Sequence, residues 1–192
     1  MSGLLKTLSF LKERRWVKEP FNINVFKKRR KIMGKMSQAD FFFGAALSVL
    51  FNNNMVPVLV ENGSDRRIYD VTTNDGDFRL YMKYRKKPST DNEFLTSWQF
   101  IFSQEEIEEF KNKCKENIRL ILICGKENLK NSEFAVLYNS EIKEAICDSE
   151  KNSITIGRKK HARNFYISMR GGRKNDLHIT ANRLDIANLD VV

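Results

Sequence analysis

Residue types that mark catalytic or metal chemistry are scarce in this chain: its 192 residues include 2 histidines, 3 cysteines, 3 prolines and 9 glycines. His161 and His178 lie far apart, and neither has a serine or cysteine in a nucleophile setting beside it, so no catalytic triad can be built. Cys114, Cys124 and Cys147 show neither CxxC nor mixed Cys/His ligand spacing, and no metal site is expected from them. Each falls in an apolar periodic stretch, where a free cysteine packs as a small hydrophobe. That usage points to a reducing, cytoplasmic compartment. Glycine is too sparse for a GxGxxG or Walker A loop; Gly125-Lys126 follows an apolar run but lacks the glycine spacing that cradles phosphates, so no cofactor is expected. No apolar run reaches the roughly 18 residues of a membrane span. The longest, residues 41–51, is interrupted by Gly44 and Ser48 and stops at three asparagines. Helix-turn-helix, zinc-finger, RNP and KH motifs are absent, as is any internal repeat.

What is present is charge and phenylalanine. The chain is 41% apolar and 30% charged, which suits a folded domain with an extension. Its 14 phenylalanines predict a largely aromatic core. The net charge of +10 is unevenly spread: residues 1–36 carry 11 Lys/Arg against 2 Asp/Glu, residues 91–150 carry 7 against 13, and residues 151–192 carry 9 against 3. Two basic regions flank an acidic one, a polarity suited to polyanion-facing surfaces.

The first segment is expected to be a basic arm, residues 1–36, preceding one α+β domain at 37–192. Leu4, Leu5, Leu8 and Leu11 share a helical face, Pro20 ends that helix, and Lys27, Lys28, Arg29, Arg30 and Lys31 form the densest cationic run. A secretory signal is not expected, because Lys6 breaks the apolar stretch and no small-residue cleavage site precedes the KERR run. An organelle transit peptide shares the basic, acid-poor character, so import is the alternative to a cytoplasmic location.

The domain is expected to hold a mixed, largely antiparallel sheet with about three helices. Ser37 and Asp40 cap a helix over about 38–52 that is apolar nearly all round and therefore buried. Strands follow at 55–61, where Pro57 implies an edge, and at 67–72, each closed by an Asn/Gly turn. Residues 77–85 alternate most cleanly: Phe78, Leu80, Met82 and Tyr84 on a dry face, Arg79, Tyr81, Lys83 and Arg85 on a basic one. Beyond a polar loop come a strand at 98–102 and a helix to about 116, opened by the capping box of Ser103 and Glu106. The run 118–124, apolar but for Arg119, reads as a central strand covered on both faces. Further along are a strand at 134–138, a short helix capped by Ser140, a hairpin of 153–157 with 164–169 around an RKKHAR loop, and a strand-like LHIT.

Two constellations carry chemical expectations. A helix followed by a three-stranded meander resembles the opening of the PD-(D/E)xK nuclease core. That resemblance, which covers about 50 residues, implies a divalent metal held by Asp70, with Glu61 in support, and a lysine at Lys83. The position two before Lys83 is Tyr81, where the family has an acid, and a phenol does not replace a hard carboxylate ligand. The second constellation is basic. Arg79, Lys83 and Arg85 on the sheet face, with Arg158, Lys159, Lys160 and Arg163 in the hairpin loop, are candidate phosphate contacts, and Tyr81 among them is a candidate stacking residue. From Lys151 to Asn175 there is no acid at all. The leading expectation is a nucleic-acid-associated binding protein, contacting DNA or RNA phosphates through the arm and the hairpin loop, with protein partners in a larger assembly. A divergent metal-dependent nuclease and a peripheral membrane protein anchored by the leucine face are the alternatives.

Overall fold

A computed structural model of the chain describes residues 35–183, apart from positions 75, 114, 128, 150, 170–172 and 182. The chain divides into two units, residues 1–35 and 36–192, and the second holds every described element. The leucine face at 4–11 and the cationic run at 27–31 lie outside the described residues.

The architecture is α+β, built on two five-stranded sheets rather than the single sheet expected. Helix α1 spans Gln38–Asn52 and opens as its sequence predicts. The Ser37 backbone N–H donates to Asp40 Oδ2 at 2.8 Å, and the Asp40 N–H donates back to Ser37 Oγ at 3.3 Å. The helix is not wrapped in protein, however. Ala39, Phe42, Phe43, Ala46 and Leu50 are buried, while Phe41 and Phe51 are exposed. One face meets the sheet, and a surface helix can still carry apolar residues outside that face.

The first sheet begins with three antiparallel strands, β1 Val56–Asn62, β2 Arg66–Thr72 and β3 Phe78–Arg85. Pro57 sits in the outermost strand, as its missing N–H demands. A detour through β4 Thr90–Asp91, β5 Leu95–Ile101 and helix α2 Gln104–Lys113 then leads to β6 Ile118–Cys124, which runs parallel to β3. Strand β7, Glu133–Tyr138, closes the order β1-β2-β3-β6-β7. The second sheet runs β4-β5-β8-β9-β10, with β8 at Ser153–Lys159, β9 at Asn164–Ile167 and β10 at Leu177–Thr180. Between β7 and β8 lie a short helix α3, Asn139–Ile142, and one wide turn of π-type over Lys143–Cys147. Ser140 is inside α3, not its cap. Tyr138 holds the cap position, and its backbone N–H donates to Glu141 at 2.9 Å.

The central placement of β3 corrects the expectation of one dry face and one basic face. Phe78, Leu80 and Met82 pack towards α1 as expected, together with Tyr69, Ile121, Ile123 and Val136. The opposite face is covered too, by α2 and the second sheet. Tyr81 joins Trp98, Phe100, Phe102, Phe110, Leu120 and Phe165 in the larger core cluster. Rings there meet edge to face, Tyr81 on Phe110 and Phe102 on Phe110, at centroid separations of 4.9 and 6.0 Å. Each such side chain, fully buried, contributes about 1.5–3 kcal/mol by apolar area alone. Trp98 also ties the sheets together, its indole N–H donating to the Gly125 carbonyl at 2.8 Å. Gly125 is required at that junction, because a Cβ would lie 2.5 Å from the Arg85 carbonyl oxygen and 2.6 Å from the Phe42 ring. Among the described residues, no helix is long and apolar enough to cross a membrane.

Candidate functional site

Two clefts of about 700 Å³ each collect polar side chains, and they differ in what those side chains are bound to. The first lies where the β1–β2 turn meets the start of α2. Its floor is an ion-pair network raised on the inner face of β3. Lys83, 5% exposed, donates to both carboxylate oxygens of Glu106 at 2.7 and 2.8 Å. Asp65 approaches the same ammonium at 3.5 Å. Arg66, opposite Lys83 in the β2–β3 register, grips Glu61 at 2.7–3.0 Å and Glu109 at 3.0 Å. Tyr81 donates its hydroxyl to Glu109 at 2.8 Å. Burial, and then that hydrogen bond to a carboxylate, push the Tyr81 phenol well above its ordinary range. Burial works against the Arg66 charge, but Glu61, Glu109 and Glu106 outweigh it and raise the guanidinium pKa.

This arrangement does not gather the ligands that the nuclease resemblance implies. Asp70 faces Arg79 across the hairpin and accepts from its Nε at 2.8 Å. Lys83 stands four positions further along β3, which is about 13 Å at strand rise. The position directly opposite Lys83, where a carboxylate would serve a metal, is held by Arg66. Among the described residues, no group of three or more His, Cys, Asp or Glu side chains is placed to hold a metal ion.

The sheet-face residues expected to meet phosphates are thus largely engaged within the protein. Tyr81 is 0% exposed and presents no ring to a base. Lys83 is paired with Glu106 and Arg79 with Asp70. Arg85 is half-buried and donates to the Gln99 carbonyl at 2.6 Å. The physical reason is that β3 is covered on both faces: α2 brings Glu106 and Glu109 to Lys83 and Tyr81, while Asp70 of β2 and the Gln99 carbonyl of β5 take Arg79 and Arg85.

The second cleft is built differently. Strands β3 and β6 are parallel and leave the sheet side by side, Gly125 N–H donating to the Arg85 carbonyl at 2.8 Å. Lys86 and Lys87 therefore follow one strand end and Lys126 the other. Across the cleft stands the β8–β9 turn, residues 160–163, in which His161 adopts φ 63°. Arg158 forms part of the wall, its guanidinium paired with Glu133 and donating from Nε to the Ala162 carbonyl at 3.0 Å. Lys159, Lys160, His161 and Arg163 are exposed, and among the described residues no acid pairs with Lys126, Lys159, Lys160 or Arg163. Of the hairpin candidates, Arg158 is structural and the other three are open to solvent.

Sequence reasoning treated Gly125-Lys126 and the RKKHAR loop separately, and only the fold brings them to one cleft. It also passed over Phe94, on the turn between β4 and β5, which is 73% exposed. The available signal was an aromatic residue at a turn tip just after Asn92, a residue type that caps its own turn. No protein-family profile, no curated protein and no solved structure matches the chain.

Proposed function

We propose that the protein is a nucleic-acid-associated binding protein that grips phosphates at the cleft between the β6–β7 loop and the β8–β9 turn, with the cationic run at 27–31 as a second contact. The observation that carries this reading is the convergence of Lys126, Lys159 and Lys160 on one cleft, with Arg163 exposed on the same β8–β9 turn; the cleft's Glu133 is taken by Arg158, and among the described residues no carboxylate pairs with any of the four. The cations of the first cleft and its sheet differ in this respect: Arg66, Arg67, Arg79 and Lys83 are each paired with a carboxylate. Unpaired lysines on a concave surface are what a polyanion needs, since each phosphate they neutralise releases a counterion. A basic segment such as 27–31 adds affinity without sequence readout, as the basic arms of nucleoprotein assemblies do. The protein then acts by holding a strand, within an assembly whose other members supply any catalysis.

The test is the salt dependence of binding to a labelled single strand. Log affinity should fall linearly with log salt, and Lys159→Ala with Lys160→Ala should flatten that slope by about 1.4, from roughly 0.7 per lost phosphate contact. An affinity that does not change between low and physiological salt would overturn the reading.

A further inference from the structure

Phe94 is the most exposed large apolar side chain among the described residues, at 73%. Exposure of a single ring is common on any surface, so its setting decides whether it means anything. The turn that carries it is pinned from three directions. Asn92 Oδ1 accepts from the backbone N–H groups of Phe94 and Leu95, both at 2.9 Å, and Asn92 N–H donates to the Leu95 carbonyl at 3.0 Å. The Phe94 carbonyl accepts from Lys160 N–H at 3.0 Å, which joins the turn to the β8–β9 turn next door. Leu95 lies directly opposite Lys159 in the β5–β8 register. The ring thus stands on a fixed backbone, one residue from the lysine pair that edges the basic cleft. Its immediate neighbours Asn92, Glu93 and Lys160 are polar and exposed. They do not extend the ring into the broad apolar patch that marks a protein-docking surface.

A rigid, solvent-facing aromatic ring beside unpaired cations suits an alternating ligand with flat apolar faces and anionic links. An unpaired nucleic-acid strand has that character. Bases in a duplex are already stacked on one another and offer no free face, whereas an unpaired base stacks on an aromatic ring whatever its identity. Two carboxylates share the turn. Asp91 accepts from the Thr96 hydroxyl at 2.9 Å, and Glu93 is exposed. Phosphates are therefore drawn towards the Lys159–Lys160 side.

We infer that Phe94 is a stacking platform for an unpaired base, and that Lys159 and Lys160 take the phosphates flanking it, so that the protein prefers single strands to duplex. This deepens the nucleic-acid reading and rests on it. The test uses the full chain and labelled oligomers of equal length, oligo-dT, oligo-rU and a mixed-sequence duplex, followed by anisotropy at one salt concentration. Either single strand should bind more tightly than the duplex. Phe94→Ala should weaken single-strand binding roughly ten-fold, within the range found for loss of one base stack, and leave duplex binding unchanged. Phe94→Trp should keep the affinity, and its emission should be quenched on binding. Because the ring is exposed, circular dichroism of both variants should match the parent. If Phe94→Ala binds single strands as well as the parent while Lys159→Ala with Lys160→Ala binds them worse, stacking is wrong and phosphate binding stands. If the parent chain binds none of the three oligomers, both fail.

Discussion

Lys83 shows how burial changes the worth of a charge. Its side chain is 7% exposed and that of Glu106 11%, whereas Arg79 and Asp70 on the same strand pair are 30% and 54% exposed. An exposed pair contributes about 0–1 kcal/mol, but removing one member of a buried pair strands the other charge in the protein and costs about 3–5 kcal/mol. Lys83→Met should therefore lower the free energy of unfolding by about 3 kcal/mol in urea titrations. The lower end applies because Arg66 remains 3.7 Å from the stranded Glu106. Arg79→Met should shift the same titration by less than 1 kcal/mol. Equal effects would mean that the Lys83–Glu106 pair contributes no more than a surface contact. The same comparison explains why these two residues misled a reading of the sequence. Both lie at alternating positions on one strand, and nothing in that spacing says that α2 will cover one of them and not the other.

Capping signals translated into elements most directly. Ser37 and Asp40 open α1 and Ser103 and Glu106 open α2, because a capping box is satisfied within four consecutive residues. The interior position of β6 was legible for a similar reason: a strand whose last five residues, 120–124, are all apolar needs cover on both faces. The two-sheet division was not, since β5 joins a second sheet through its pairing with β8, more than fifty residues away, and β4 pairs only with β5. Candidate site residues fared by the same rule. The loop cations Lys159, Lys160 and Arg163 stayed exposed, while Tyr81 and Lys83 took roles set by α2, Arg85 one set by β5 and Arg79 one set by its hairpin neighbour Asp70.

The α1 cap also carries a pH signature. Asp40 is held well below the ordinary carboxylate range, first by the Ser37 hydroxyl, then by the Arg67 guanidinium and the Ser37 backbone N–H. A carboxyl depressed on folding contributes stability that is present above its unfolded pKa, near 3.9, and is lost as pH falls towards the folded value. The urea midpoint should therefore drop as pH is lowered from 5 to 3, and Asp40→Asn should reduce that drop while lowering the midpoint at pH 7. An identical acid profile in the variant would remove Asp40 from the account.

At the scale of the whole molecule, the uneven charge is partly spent inside the fold. The acidic stretch 91–150 supplies Glu106 and Glu109 to Lys83 and Arg66, Glu133 to Arg158, and Glu141 to Arg183. What is left without a carboxylate partner on the described surface is therefore smaller than the totals suggest, and Lys126, Lys159, Lys160 and Arg163 form one group of it around the second cleft. Residues 1–36 carry a second group, 11 Lys/Arg against 2 acids. These two sources predict different salt behaviour. The three cleft lysines and Arg163 beside them can neutralise at most about four phosphates, a slope near −3 on a single strand. A full chain that also uses the segment 1–36 should be distinctly steeper, and a chain beginning at Ser37 should fall back to the shallower value. The pair should also separate by ligand: single-strand preference, which depends on Phe94, should survive the truncation, because a cationic contact to phosphates alone carries no preference for unpaired bases. Anisotropy titrations of both chains from 50 to 300 mM salt check this, with circular dichroism confirming that the shorter chain is folded. Equal slopes for the two chains would show that residues 1–36 take no part in holding the strand.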